Sequence, residues 1–394
     1  MSFKEFFLLL SFAQSLLVFV SLFNIAGNRI TNRLLAFHTL IWGIMCYYRY
    51  TIFQDVDYIL EYHCVLRFNK FVFMMLYTCI FLYIKYMCLK FDRLEYRDLL
   101  HFLPSFIVFL LFLPFFILSG PEKVNIILNH QTLYYKIVYK VIDYVAILQG
   151  IFYFYYSLKY LKRYHNQLRE NYSNIDRITL NWLRNMVIVV FGISLLGSIG
   201  MNLYAFRLIS DVYFDFQYFI VGGSIFLISY YLLTKRELFV SEVINSESDS
   251  DISELEKEIG LNSDLKNVDK NQFHFDAAYC SEVISKLTLV MENDKLYLNQ
   301  DLSLNDVADQ INVPRHHISL ILNNVLNNTF FDYINKYRVE EVKRRLQDPS
   351  FNNLTLLAIA YDAGFNSKAT FNRIFKKYEN LTPLEYKNSL LSSC

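Results

Sequence analysis

Residues 354–386 read LTLLAIAYDAGFNSKATFNRIFKKYENLTPLEY, and this stretch decides how the C-terminal part of the chain folds. Leu357, Ala358 and Tyr361 recur at helical spacing, which predicts a short helix over 354–361. Asp362-Ala363-Gly364-Phe365 breaks it, and Gly364 can take the positive φ such a turn needs. Ser367 then caps a second helix over 368–378, with Phe371, Ile374 and Phe375 on its inner face. Two short helices around a tight turn make a helix-turn-helix.

Upstream the same pattern occurs again. Ser303 is a good N-cap and Asp306 stands where a capping-box acid belongs, so a short helix is expected over 304–311. Asn312-Val313 ends it, and Pro314 suits the first turn of the next helix. That helix covers 315–325, with Ile318, Ile321, Leu322 and Val325 inward. The two units, 303–325 and 354–378, are joined by a long helix over 331–346 containing INKYRVEEVKRRL. An amphipathic helix over 277–291 precedes them, through Val283, Ile284, Leu287 and Val290.

These residues resemble the DNA-binding domain of AraC/XylS-type transcription regulators. The resemblance rests on Ile359-Ala360, Gly364-Phe365, Ser367, Phe371, Arg373, Phe375-Lys376-Lys377, Thr382-Pro383 and Tyr386. The first unit and connector fit through Leu304, Val307-Ala308, Ile318-Ser319, Phe330, Tyr333-Ile334 and Tyr337-Arg338. Three departures stand out. Asn327 and Asn380 replace the usual Gly after each second helix, and Asn is the next-best left-handed residue. Leu320 holds a position that often carries a polar base reader, and Tyr386-Lys387 replaces Tyr-Arg.

A recognition helix presents its N-terminal and outward side chains to base edges in the major groove. In the first unit those are Arg315, His316, Ser319 and Asn323; in the second they are Lys368, Thr370, Asn372 and Arg373. Arg373 suits guanine and Asn372 adenine. Lys336, Arg338, Lys376, Lys377 and Lys387 are expected at phosphates. The plainer alternative for Lys376 and Lys377 is a solvated helix face. His316 and His317 are adjacent and point to different faces, so no metal is expected, and no cofactor either.

The other end of the chain reads differently. With 54% hydrophobic and 18% aromatic residues, including 31 Tyr and 36 Phe, the composition exceeds what a soluble protein of 394 residues needs. Seven apolar stretches approach bilayer length: 6–25, 34–53, 71–88, 99–118, 137–158, 186–206 and 214–233. The first has no cleavage site after it and reads as a retained span. Lys70 and Lys85 bracket the third and can snorkel to headgroups. Basic loops around Arg29 and Arg33, 90–97, 159–184 and 235–236 alternate with loops holding fewer bases, Arg67, Lys123, Lys136 and Arg207, among Asp55, Asp57, Glu61, Asp211 and Asp215. The positive-inside rule then places the N-terminus outside and everything after Lys235 in the cytoplasm, at a bacterial inner membrane.

Polar groups within the spans are the candidate sensing residues: Arg49, Asp143, Gln149 and Asn202. They make either an outward-facing ligand pocket with an Arg49–Asp143 pair or an interhelical polar contact. Gly192, Gly197, Gly200, Gly222 and Gly223 are expected at close helix crossings. Residues 237–275 are acidic and Ser/Asn-rich, a flexible linker in composition. Such a tether is too loose to transmit a small helix tilt unless the tail also docks on the bundle.

The expected architecture is all-α: a seven-helix transmembrane bundle over 1–236, the linker over 237–275, and a cytoplasmic helical domain over 276–394 with two helix-turn-helix units. The expected function is a membrane-anchored, sequence-specific DNA-binding regulator that couples an envelope signal to transcription. Its partners would be duplex DNA, the bilayer and an unidentified signal ligand or protein; two reading heads permit action as a monomer, and a homodimer is compatible. The alternative is a polytopic transporter or membrane enzyme with an accessory DNA-binding tail. No metalloprotease, hydrolase or phosphate-loop motif supports an enzyme. The six cysteines, Cys46, Cys64, Cys79, Cys88, Cys280 and Cys394, form no metal or disulfide pattern.

Overall fold

The computed structural model describes residues 2–25, 29–52, 54, 68–89, 94–129, 133–176, 180–205, 210, 212–234 and 275–392. Every regular element among them is helical, apart from one isolated bridge between Tyr172 and Ser303. The chain divides into two compact units, one formed by Met1–Leu161 and Asn181–Ser253, the other by Lys162–Leu180 and Glu254–Cys394. Most of the expected linker, together with Cys64, Asp55, Asp57, Glu61 and Asp211, lies outside the described residues.

The first unit holds α1 (Phe3–Asn24), α2 (Arg29–Ile52), α3 (Phe68–Leu89), α4 (Leu103–Ile117), α5 (Gly120–Asn129), most of α6 (Leu133–Asn171), α7 (Asn181–Ala205) and α8 (Val212–Thr234). Ser2 caps α1 through a capping box with Glu5. Among the described residues five helices are long and apolar enough to cross a membrane: Phe3–Asn24, Phe71–Leu89, Tyr96–Ile117, Lys140–Asn171 and Val212–Thr234. Leu17, Phe106, Leu148, Phe216 and Leu227 lie exposed along them, so these helices present large apolar side chains on their outer surface.

Two of the seven expected spans do not reach that length and apolarity. α2 is long enough but carries Arg33, His38 and Arg49. The apolar part of α7 shrinks to Leu183–Gly197. Lys85, expected to snorkel, is instead buried and donates to Asp98 at 2.9 Å, with the Tyr86 hydroxyl on the other carboxylate oxygen. Lys123, expected in an exterior loop, sits buried on α5. An added Cβ at Gly197 or Gly200 would strike Gln217 or Tyr213 of α8, and one at Gly222 would strike Ser11 and Phe7 of α1. Those three glycines therefore mark close crossings, whereas Gly192 and Gly223 face open space.

The second unit starts at Lys162, within the last turns of α6, and continues through residues 172–176 and 180. It then takes up α9 (Ala277–Glu292), α10 (Leu304–Ile311), α11 (Arg315–Asn324), α12 (Phe330–Gln347), α13 (Leu356–Asp362), α14 (Lys368–Glu379) and α15 (Pro383–Ser392). Two cores share α12. One gathers Val283, Leu287 and Met291 of α9 with Leu304, Val307, Ile318, Ile321 and Leu322, closed by Phe330 and Ile334. The other gathers Phe331, Val339 and Val342 with Ile359, Ala360, Phe365, Phe371, Ile374 and Phe375. Leu168 and Ile175 insert into this second core.

Candidate nucleic-acid interface

Local chemistry sets each helix end around the candidate reading helices. Ser303 and Asp306 close a capping box at the start of α10. Asn312 takes φ 50° at its end, and the Val313 amide returns to the Ala308 carbonyl, turning the chain into α11. Thr355 caps α13 by accepting from the Ala358 amide at 3.1 Å. Gly364 stands at φ 95°, and an added Cβ there would lie 2.3 Å from the Tyr297 carbonyl oxygen, so the turn requires glycine twice over. Ser367 caps α14 through the Thr370 amide at 3.1 Å. Asn327 and Asn380 both adopt left-handed φ, 51° and 59°, as expected for stand-ins for glycine.

α14 is sharply two-faced. Phe371, Ile374 and Phe375 are buried, while Lys368, Asn372, Arg373 and Lys376 are exposed. The Arg373 guanidinium also lies 6.0 Å from the Phe331 ring centroid, which steadies it at the surface. On α11, His316 is exposed and Arg315, Ser319 and Asn323 are half-buried, with the Asn323 amide 3.4 Å from the Ser319 hydroxyl. His317 turns the other way, 2.7 Å from the Tyr279 hydroxyl of α9 and packed against Phe275. Desolvation, with the nearby His316 charge, lowers its pKa.

Two expected DNA contacts are corrected. Thr370, expected to read bases, is buried, and its hydroxyl donates to both carboxylate oxygens of Asp176 at 2.5 and 2.6 Å. Arg338, expected at a phosphate, is 1% exposed. Its guanidinium donates to the carbonyls of Tyr297 and Asn299, both at 2.7 Å, and to the carbonyl and hydroxyl of Ser173 at 3.3 and 3.0 Å. The reason is the same in both cases: residues 172–176 cover them, and Asn335 adds a bond to the Ser173 carbonyl at 3.1 Å. Of the other expected phosphate contacts, Lys336 and Lys376 are exposed and Lys387 is half-buried. Lys377 is half-exposed and donates to Asp332 at 2.8 Å.

Asp332 also receives Arg169 at 2.7 Å. Burial alone would raise its pKa, but the Lys377 hydrogen bond and the Arg169 and Lys377 charges outweigh it and hold the carboxyl below its usual range. Glu341, buried between Arg344 and Arg345, goes further: burial opposes ionisation, yet three hydrogen bonds from the two guanidiniums bring its pKa to about 2. Asp176, Ser173 and Arg169 are the residues that sequence reasoning missed. The signal in the sequence was a set of apolar and aromatic positions, Tyr164, Leu168, Tyr172 and Ile175, in an otherwise polar stretch.

The candidate sensing residues separate in the structure. Arg49 pairs with Asp215 at 2.9 Å, and Lys4 joins the same carboxylate at 2.5 Å, so Asp215 takes the place expected of Asp143. Asp143 is half-buried on α6. The Gln149 amide nitrogen lies 3.5 Å from the Met74 carbonyl and 3.4 Å from the Thr78 hydroxyl. The Asn202 side chain lies outside the described residues.

Comparison with known proteins places residues 307–389 in the helix-turn-helix domain family, a match that spans α10 to α15. The chain is 30% identical over 95 residues to the probable transcription factor PqrA of Proteus vulgaris, covering 24% of this chain and 75% of that protein. It is 32% identical over 89 residues to the melibiose operon regulatory protein of Escherichia coli K12, covering 23% of this chain and 28% of that protein. An uncharacterised HTH-type transcriptional regulator of Staphylococcus aureus strain COL is 29% identical over 102 residues, 26% of this chain and 13% of that protein. No solved structure matches the chain. Family match, relatives and the two-faced α14 agree, and the chain belongs to the AraC-type helix-turn-helix transcription regulators.

Proposed function

We propose that this chain is a membrane-held, sequence-specific DNA-binding regulator that links an envelope or membrane signal to transcription. The observation that carries the reading is the outer face of α14, where Lys368, Asn372 and Arg373 stand exposed on a helix whose inner face is core. That is the arrangement a major-groove reading helix needs. α10–α11 and α13–α14 are read as two helix-turn-helix units, with His316, Arg315, Ser319 and Asn323 reading bases from the first. Lys336, Lys376, Lys377 and Lys387 are assigned to phosphates. An N-terminal bundle of seven spans, with α2 and α7 completing the five strongly apolar helices, would place the N-terminus outside and the DNA-binding unit in the cytoplasm. The apolar exterior of those helices and the alternation of basic loops support this. Duplex DNA and lipid are then its partners, and the signal is assigned to the bundle, where the Arg49–Asp215–Lys4 cluster is the strongest charged feature.

The test is genome-wide crosslinking of the intact protein to DNA, comparing wild type with Arg373→Ala. Discrete sites in the wild type that fade in the variant are expected. A diffuse pattern identical in both would overturn sequence-specific reading by α14.

A further inference from the structure

Lys162–Leu180 is tied in sequence to α6 before it and α7 after it, yet it is part of the DNA-binding unit. It is anchored in three ways. Leu168 and Ile175 are buried in the core under α14. Ser173 bonds backbone to backbone with Leu302 at 3.1 Å and receives Arg338 and Asn335. Two of its charged side chains then reach the two ends of α14, one directly and one through Asp332. Asp176 accepts from Ser367, the N-cap, at 2.5 Å and from Thr370. Arg169 shares Asp332 with Lys377, which lies in the last turn of α14.

We propose that the 162–176 segment is an autoinhibitory strap on the second reading helix: Asp176 holds Ser367 and Thr370 and places a carboxylate at the end of α14 that must meet DNA, so tight DNA binding requires the Asp176 end of the strap to lift. This rests on the DNA-binding reading above. A carboxylate at that position repels the phosphate backbone and holds two hydroxyls that a DNA strand would otherwise engage. Because the strap is continuous with α6 and α7, a rearrangement of those helices has a covalent route to α14 that bypasses residues 235–274.

The experiment uses the full chain in lipid nanodiscs and a mixed-sequence DNA duplex, with binding followed by fluorescence anisotropy across a salt series. Asp176→Ala should bind about ten-fold more tightly, the worth of one charge-assisted hydrogen bond. Asp176→Asn, which keeps the shape and cannot unfold the unit by leaving a cavity, should gain in the same direction. Adding Thr370→Val to Asp176→Ala should remove most of the gain. Wild type and both Asp176 variants binding alike, or a gain that survives Thr370→Val in full, would overturn the strap while leaving DNA binding intact. Failure of every variant to bind duplex even at low salt would overturn the DNA-binding reading itself, and the strap with it.

Discussion

Replacing Arg338 separates a structural arginine from a phosphate-binding one. Its guanidinium makes four hydrogen bonds, three of them to the carbonyls of Tyr297, Asn299 and Ser173. Arg338→Ala strips the Tyr297 carbonyl of its donor and leaves those of Asn299 and Ser173 only the Leu302 amide at 3.4 Å and the Asn335 amide at 3.1 Å, at a site where the arginine is 1% exposed to solvent. Each buried acceptor stripped of its partner costs roughly 1–3 kcal/mol, and water entering the vacated space recovers part of that. The net loss is therefore about 2–4 kcal/mol, the worth of a few hydrogen bonds from a charged donor to neutral oxygens. Against a typical domain stability of roughly 5–15 kcal/mol this is a large fraction. With a urea m-value of about 2 kcal/mol per molar, the midpoint of the DNA-binding unit falls by about 1–2 M.

Two companion variants separate the causes. Arg338→Met fills most of the volume with no donor, so it should fail nearly as badly as alanine if hydrogen bonding dominates. Arg338→Lys offers one compact ammonium in place of a planar fork and should recover only part of the loss. Pulse proteolysis of the full chain across a urea series, read on fragments from 275–392, gives the midpoints. Were Arg338→Ala to leave the midpoint unchanged while lowering DNA affinity and the salt slope by about one charge, Arg338 would be a phosphate contact after all.

Other expectations follow from the same geometry. Arg373→Ala should cost roughly 1–3 kcal/mol on the preferred site and relax one base position, whereas Lys376→Ala should weaken all duplexes alike and flatten the salt dependence; selection from a random duplex library reads both. Asp332 and Glu341 have folded pKa values below those of the unfolded chain, so their contribution is full above the unfolded carboxylate range and is lost as pH falls through the folded values, about 2 for Glu341. Stability of the DNA-binding unit should thus decline between about pH 5 and pH 2, and Glu341→Gln should flatten that decline in acid melts. Reporter fusions within residues 53–67 and after Lys235 should report opposite sides of the membrane; same-side reporting would sink the seven-span reading.

What could be read from the sequence was what is encoded locally. Ser303 and Ser367 each signal a helix start, Ser303 together with Asp306 three places on, and Asn312, Gly364 and Asn380 signal turns through backbone preference. The reading helices and the connector followed from those signals with ends within two residues. The choice of Asp143 as partner to Arg49 had no such basis. Two acids, Asp143 and Asp215, stood near the expected outer face, and pairing across spans depends on helix rotation that one sequence does not carry. The Asp215 pairing emerges only from packed helices.

Arg338 is the more instructive case, because its burial left a trace. Ile334, Arg338 and Val342 recur every four residues, and the neighbouring stripe runs through Asn335 and Val339, all of them buried. A charged residue inside an apolar stripe is a buried cation awaiting oxygen partners, not a surface one reaching for phosphate. The same periodicity places Thr370 four residues before Ile374, on the edge of the core face. Arg338 was assigned to DNA because its type suits DNA, when its phase on the helix put it inside; Thr370 stands at the edge, where its hydroxyl is covered by Asp176. What phase cannot supply is the identity of the cover. Ser173 and Asp176 come from 165 and 194 residues upstream, and no local rule relates them to their partners. A reading helix held by so distant a segment of its own chain carries its regulation in that contact, where a motif search looks only for base-reading side chains.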